Sequence, residues 1–153
     1  MVRFVVIALL AFVGMELVSY AAHRFIYHGP GWFLHRSHHT PRRGLFEWND
    51  LFPLIFASIT IVLMMTALAD PAGSELLAAT IGITAYGLVY LVIHDLYVHR
   101  RMKSLSFKHP LMLKIKKAHM VHHMHGGEPY GLLFFVHPRH LKDPVDEHAD
   151  GSG

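Results

Sequence analysis

Ten histidines in two arrays of matching spacing limit what this chain can fold into more than any other feature. The first array reads H-x4-H-x6-H-x2-H-H and holds His23, His28, His35, His38 and His39. The second runs His94, His99 and then, after a longer insert, His119, His122 and His123. On an α-helix, positions i, i+3 and i+4 share a face, so each H-x-x-H-H can aim three imidazoles one way. Residues five apart stand about 140° apart at ~100° per residue. His28 and His99 are therefore expected where a helix ends or bends. Gly29-Pro30-Gly31 supplies that stop for His28. For His99 the hint is the change from apolar residues to Arg100, Arg101 and Lys103.

A lone histidine near a membrane surface is commonly a capping or interfacial residue, but two matching arrays read as a metal site, and eight to ten neutral ligands are too many for one ion and suit two. His148 lies in a polar tail and is read as solvated, and no role is assigned to His125. The absence of cysteine excludes thiolate-ligated haem, iron–sulfur clusters, Cys-zinc sites and disulfides. The Glu-x-x-His set of carboxylate di-iron bundles and the H-E-x-x-H protease motif are also missing. Histidines at and beyond the ends of apolar runs argue against a haem held between facing helices.

Apolar residues make up 52% of the chain and charged ones 16%, the balance of a membrane protein. Residues 4–22 are long enough to cross a ~30 Å hydrocarbon core. Arg3 before the apolar run also fits a signal peptide. A retained helix is expected instead, because Glu16 interrupts the run and no A-x-A site precedes His23. An ionisable residue inside a span is costly and functional or paired. Glu16 stands two turns before His23 on the same face, so it is expected to support the metal site from beneath or to pack between helices. A carboxylate reaching up to the interface is the alternative.

Leu51 to Ala69 is the clearest span, Asp70 to Glu75 a turn, and Leu76 to Ile93 the return that leads into His94-Asp95. Glu47, Asn49, Asp50 and Asp95 are candidates to hold the outer nitrogens of ligand histidines; capping by Asn49 or Asp50 explains those two equally well. Tyr86 and Tyr90 lie on the His94 side of the helix and are candidates for lining a path from the bilayer. The region 102–117 is basic and amphipathic and is expected to lie along the interface ahead of the second H-x-x-H-H, which Gly126-Gly127 ends. Tyr130 to Val136 is too short to span and reads as a re-entrant or docking segment, a fourth half-span; residues 138–153 read as a polar tail behind a membrane-embedded domain of 1–137.

The expected fold is thus an all-α integral membrane protein of about three transmembrane helices with a helical cap carrying both arrays. Arg24, Arg36, Arg42 and Arg43 flank the first array and nine more Lys/Arg follow from Arg100. By the positive-inside rule, the arrays face the cytoplasm. That placement accounts for the basic residues without nucleic-acid binding.

The arrays, with H-H-T-P-R-R-G-L-F-E-W-N-D, T-A-Y-G-L-V-Y-L-V-I-H-D-L-Y-V-H and A-H-M-V-H-H around them, resemble the fatty-acid-hydroxylase superfamily of histidine-rich non-haem di-iron oxygenases. The flanking residues resemble its carotenoid branch, the bacterial β-carotene hydroxylases, over roughly residues 14–136. The resemblance implies ten metal-binding histidines: His23, His28, His35, His38, His39, His94, His99, His119, His122 and His123. It implies two irons, molecular oxygen, a ferredoxin-type electron donor and a multi-pass position in the cell inner membrane. The implied reaction is hydroxylation of β-carotene at ring position 3, through β-cryptoxanthin to zeaxanthin. A sister hydroxylase or desaturase acting on acyl chains or sterols is the nearest alternative. A non-enzymatic metal-binding or transport protein is the other, and it predicts polar residues along the spans, where Glu16 is almost alone.

Overall fold

The computed structural model describes residues 1–41, 44–70, 72–101 and 105–133. The proposed tail at 138–153, the 137/138 boundary and residues 134–136 of the half-span lie outside them, as do Arg42, Arg43 and Lys103.

Three helices, each with its continuation, are long and apolar enough to cross a membrane: Val2–Tyr27, Trp48–Ala69 and Ser74–Val98. The first is α1 (Val2–Ala21), extended by a π-wound segment, Ala22–Tyr27. A four-residue helix, α2 (Trp32–His35), follows the Gly29-Pro30-Gly31 turn. A 3₁₀ turn at Trp48–Asp50 then opens α3 (Leu51–Ala69). The next helix, α4 (Ser74–Tyr90), again runs into a π-wound segment, Leu91–Val98. The last, α5 (Pro110–His125), carries the second H-x-x-H-H.

α4 is the central helix and packs against both α1 and α3. Gly82 makes the α1 crossing close: a Cβ there would lie 2.1 Å from the Ala8 carbonyl oxygen. Small residues at such a crossing let two backbones approach, which is how helices associate where lipid removes the hydrophobic drive. Val5, Leu9, Leu54, Ile55 and Ile59 point outward and are exposed. A surface that apolar is stable against hydrocarbon rather than water.

One expectation is corrected. The segment His35–His39 is not one helix. α2 ends at His35, and the chain continues in tight turns, with His38 N–H on the His35 carbonyl (2.8 Å) and His39 N–H on that of Arg36 (3.2 Å). The later part of the basic stretch, from Pro110, belongs to the same helix as the second array. α5 starts at Pro110 and runs unbroken through His119, His122 and His123. The reason is local: a residue before proline disfavours helix, and His109 is extended (ψ 134°) with its side chain accepting from the Leu111 N–H. The expected stop holds, with Gly126 in the left-handed conformation (φ 69°) that glycine adopts freely.

Candidate metal centre

The π-winding answers the puzzle of the H-x4-H pairs. The His28 N–H bonds the His23 carbonyl at 3.0 Å and the His99 N–H bonds the His94 carbonyl at 2.9 Å. An i→i+5 bond closes a wider turn than the α-helix, so residues five apart come to the same side. Both later histidines sit directly after the π-wound segment, where the helix ends.

All ten histidines converge at one end of the three-helix bundle. His23, His28, His35, His39 and His122 form one group, and His38, His99, His119 and His123 another; within each, one ligating atom per residue lies within 4.8 Å of all the others. His94 lies against the second group, its Nε2 3.3 Å from that of His38 and its ring 4.6 Å from those of His99 and His119. The groups touch where the His39 and His123 rings stack at 4.3 Å. They do not follow the arrays, since His122 belongs with the first array's group and His38 with the second's.

Fixed partners orient five of the rings. His23 Nδ1 donates to the Tyr130 carbonyl (2.8 Å), His35 Nδ1 to Asn49 Oδ1 (2.7 Å) and His122 Nδ1 to the Gly127 carbonyl. His38 Nδ1 donates to Glu47 (3.0 Å) and His94 Nδ1 to Asp95 (2.9 Å). With the proton held on Nδ1, each Nε2 presents a lone pair. Yet His23 and His35 face each other Nε2 to Nε2 at 3.1 Å, and His38 and His94 at 3.3 Å. Two lone pairs cannot hydrogen-bond; a cation between them resolves the contact. Imidazole bonds of ~2.0–2.1 Å to a transition ion put neighbouring donors about 3 Å apart. The donor set therefore fits a metal site consistent with a di-iron centre.

The electrostatics agree. His28 is pushed down to about 4, and His35, His38, His99 and His122 to about 3, from an ordinary 6.5. Burial is the largest cause at each, and the charge of neighbouring imidazoles adds to it. Bonds to Asn49 and Gly127 offset it in part for His35 and His122. His39, His119 and His123 move the same way for the same first cause. Ligands must be neutral to bind metal, and here the fold keeps them so.

The other candidates divide. Glu47, Asn49 and Asp95 touch histidines, but Asp50 bonds the Glu47 N–H (3.0 Å) in a capping box and pairs with Arg101. Glu16 packs between helices. It is fully buried and accepts from the Tyr86 hydroxyl (2.7 Å) and from the N–H groups of Leu132 (2.7 Å) and Leu133 (2.8 Å). It thus ties α1 to α4 and to the strap 126–133, whose carbonyls hold His23 and His122. Those carbonyls, and Arg101 beside Asp50 and Asp95, escape a reading of side chains in sequence. A backbone carbonyl has no residue signature, and Arg101 registers there only as charge.

A cavity of 630 Å³ leads from the apolar part of the bundle to His23, His35 and His94. Tyr86 and Tyr90 line it, and Tyr90 stacks on His94 at 4.6 Å. Tyr27 and Phe52, stacked at 3.9 Å, stand at the histidine end.

This histidine cap on apolar helices is the architecture of a membrane oxygenase, and the chain belongs to the fatty acid hydroxylase family, whose model matches residues 8–141. It is 41% identical over 122 residues to the β-carotene hydroxylase of Pantoea ananas, covering 77% of this chain and 67% of that one. It is 37% identical to that of Pseudescherichia vulneris over 90% of this chain and 78% of the relative. The chloroplastic β-carotene 3-hydroxylase of Haematococcus lacustris is 39% identical over 85% of this chain, which spans only 42% of that longer protein. No solved structure matches the chain.

Proposed function

We propose that the protein is a non-haem di-iron monooxygenase that hydroxylates the β-ionone rings of β-carotene at C3, giving β-cryptoxanthin and zeaxanthin. The observation that carries the reading is the meeting of an apolar cavity with an all-imidazole cluster whose lone pairs face each other. An unactivated ring C–H has no acidic proton, so acid–base chemistry alone cannot functionalise it. Bound by the ten histidines, two irons would supply the activation of molecular oxygen that such a bond requires. The balance is one substrate, one O2, two electrons and two protons to one alcohol and one water. A ferredoxin-type donor supplies the electrons, drawn to the basic face by charge.

The chain's own residues do the rest. His23, His28, His35, His39 and His122 hold one ion, and His38, His94, His99, His119 and His123 the other. Glu47, Asn49, Asp95 and the carbonyls of Gly127 and Tyr130 fix ring orientation. Tyr27, Phe52 and Tyr90 close the end of the cavity against water and guide the ring to the cluster. The arrays face the cytoplasm of an inner membrane, as their flanking Arg and Lys favour, and substrate arrives through membrane lipid.

The test is pigment chromatography from a bacterial host that accumulates β-carotene and expresses this chain or its His38→Ala variant. Conversion to β-cryptoxanthin and zeaxanthin by the first alone supports the reading. Unchanged β-carotene beside inserted, iron-loaded protein overturns it and moves attention to acyl chains and sterols.

A further inference from the structure

α3 and α4 run antiparallel, the Gly73 N–H bonding the Asp70 carbonyl (2.8 Å) between them, and the Thr80 hydroxyl reaches Met64 Sδ at 3.4 Å. Beyond that contact, towards the histidines, the space between them is the cavity. α3 and α4 are its walls, and Met15 and Ser19 on α1 with His23 in the π-wound segment are its floor. At ~1.5 Å per residue, seven residues on from each contact partner brings both walls to one level, roughly 10 Å up. The residues there are Ala57 on α3 and Gly87 on α4, both cavity-lining and both exposed. Gly87 lies seven residues before His94.

Helix packing explains Gly82, where a Cβ would strike the Ala8 backbone, but a Cβ on Gly87 would meet nothing within 4 Å. A glycine inside a helix is destabilising relative to alanine. At this level the walls also carry Phe56 beside Ala57 and Tyr86 and Leu88 beside Gly87, with Ile61, Ile83 and Tyr90 further along. Ala57 and Gly87 are thus small positions set between bulky neighbours on the two walls, both on exposed helix surface.

We propose that Ala57 and Gly87 form a lateral portal admitting a ring-ended polyene from the bilayer to the histidine cluster, with Gly87 setting the width of terminus that passes. A straight alkyl chain slips between ordinary side chains. A methyl on one wall and a bare backbone on the other, at one level, suit an end group broader than the chain behind it. The inference rests on the carotenoid reading for its ligand and adds the residues that select it.

The experiment titrates β-carotene into zinc-loaded protein in lipid nanodiscs, reading induced circular dichroism in the polyene band alongside metal content. Turnover in the carotenoid-producing host is followed in parallel. Gly87→Leu and Ala57→Leu are expected to weaken binding and turnover at least tenfold with metal content unchanged, and Gly87→Ala to fall between. Gly14→Leu, at an α1 glycine also without neighbours within 4 Å but outside the cavity, is the control and should match the parent. Equal binding by parent and Gly87→Leu, equal loss in Gly14→Leu, or no binding by the parent each overturns the portal. Binding by the parent that Gly87→Leu abolishes, without turnover in either, supports the portal and sinks the hydroxylation reading alone.

Discussion

Asp95 shows how much of the site depends on single atoms outside the ring of histidines. Its carboxylate takes the Nδ1 proton of His94, and Arg101 stands 3.9 Å from the same oxygen. Removing such a partner lowers metal affinity by roughly tenfold to a hundredfold. Asp95→Ala is expected to do so in a chelator competition, with Asp95→Asn losing less because its amide oxygen still accepts. Glu16 acts at a different place. Glu16→Ala leaves the Leu132 and Leu133 N–H groups without their acceptor, at about 1–3 kcal/mol for each buried donor. The expected result is a lower Tm and weaker metal retention together, since the same strap holds His23 and His122. At this scale the sequence was a good guide to residue identity and a poor one to pairing. Glu47, Asn49 and Asp50 look alike in sequence; the turn at Trp48–Asp50 brings Glu47 and Asn49 to histidine Nδ1 atoms, while Glu47 and Asp50 close the capping box and Asp50 pairs with Arg101.

Among the elements, the three apolar helices were legible because hydropathy over some twenty residues has no other explanation, and α3 falls on the span read from composition. The π-winding was half legible. The five-residue spacing says that an α-helix cannot serve, but not what replaces it. A direct check is deletion of Ile26, which is exposed and carries no described side-chain contact with the cluster. It turns H-x4-H into H-x3-H, a spacing an α-helix satisfies by itself, and rotates everything after it. The expected outcome is a protein that still inserts but binds less than its full complement of metal, measured as metal per chain. Retention of full occupancy would show that the wider turn is incidental. The start of α5 is not marked in composition, because the basic, amphipathic pattern continues across Pro110 unchanged.

For the whole molecule, acid is the informative variable. His28, His35, His38, His99 and His122 hold pKa values of about 3 to 4 in the fold against 6.5 when unfolded. Between those values the unfolded chain binds protons that the folded one refuses, so stability is complete above pH 6.5 and falls as pH drops towards 3. Metal loss on acidification is therefore expected to coincide with loss of the cap's tertiary structure, with both transitions tracing one curve when followed by metal content and near-ultraviolet circular dichroism. Metal release well before unfolding would contradict it. Chelation at neutral pH should act on the same part: hydrogen exchange is expected to rise in α2 and α5, while α1, α3 and α4 stay protected by their own packing. No reading of the sequence could give the grouping behind this, because it depends on how α2 and α5 meet over the bundle. The spacing shows only that each H-x-x-H-H can aim three imidazoles one way.

The exchange of His38 and His122 between the two groups means that neither array is a module. A chain cut after the first array could not keep half the chemistry, nor could one ion be seated fully while the other half of the cap stays open. Filling one position draws both arrays together and leaves the neighbouring position already shaped. Loading of this protein should be an all-or-none event, with empty and doubly filled molecules coexisting at sub-stoichiometric metal and few molecules in between.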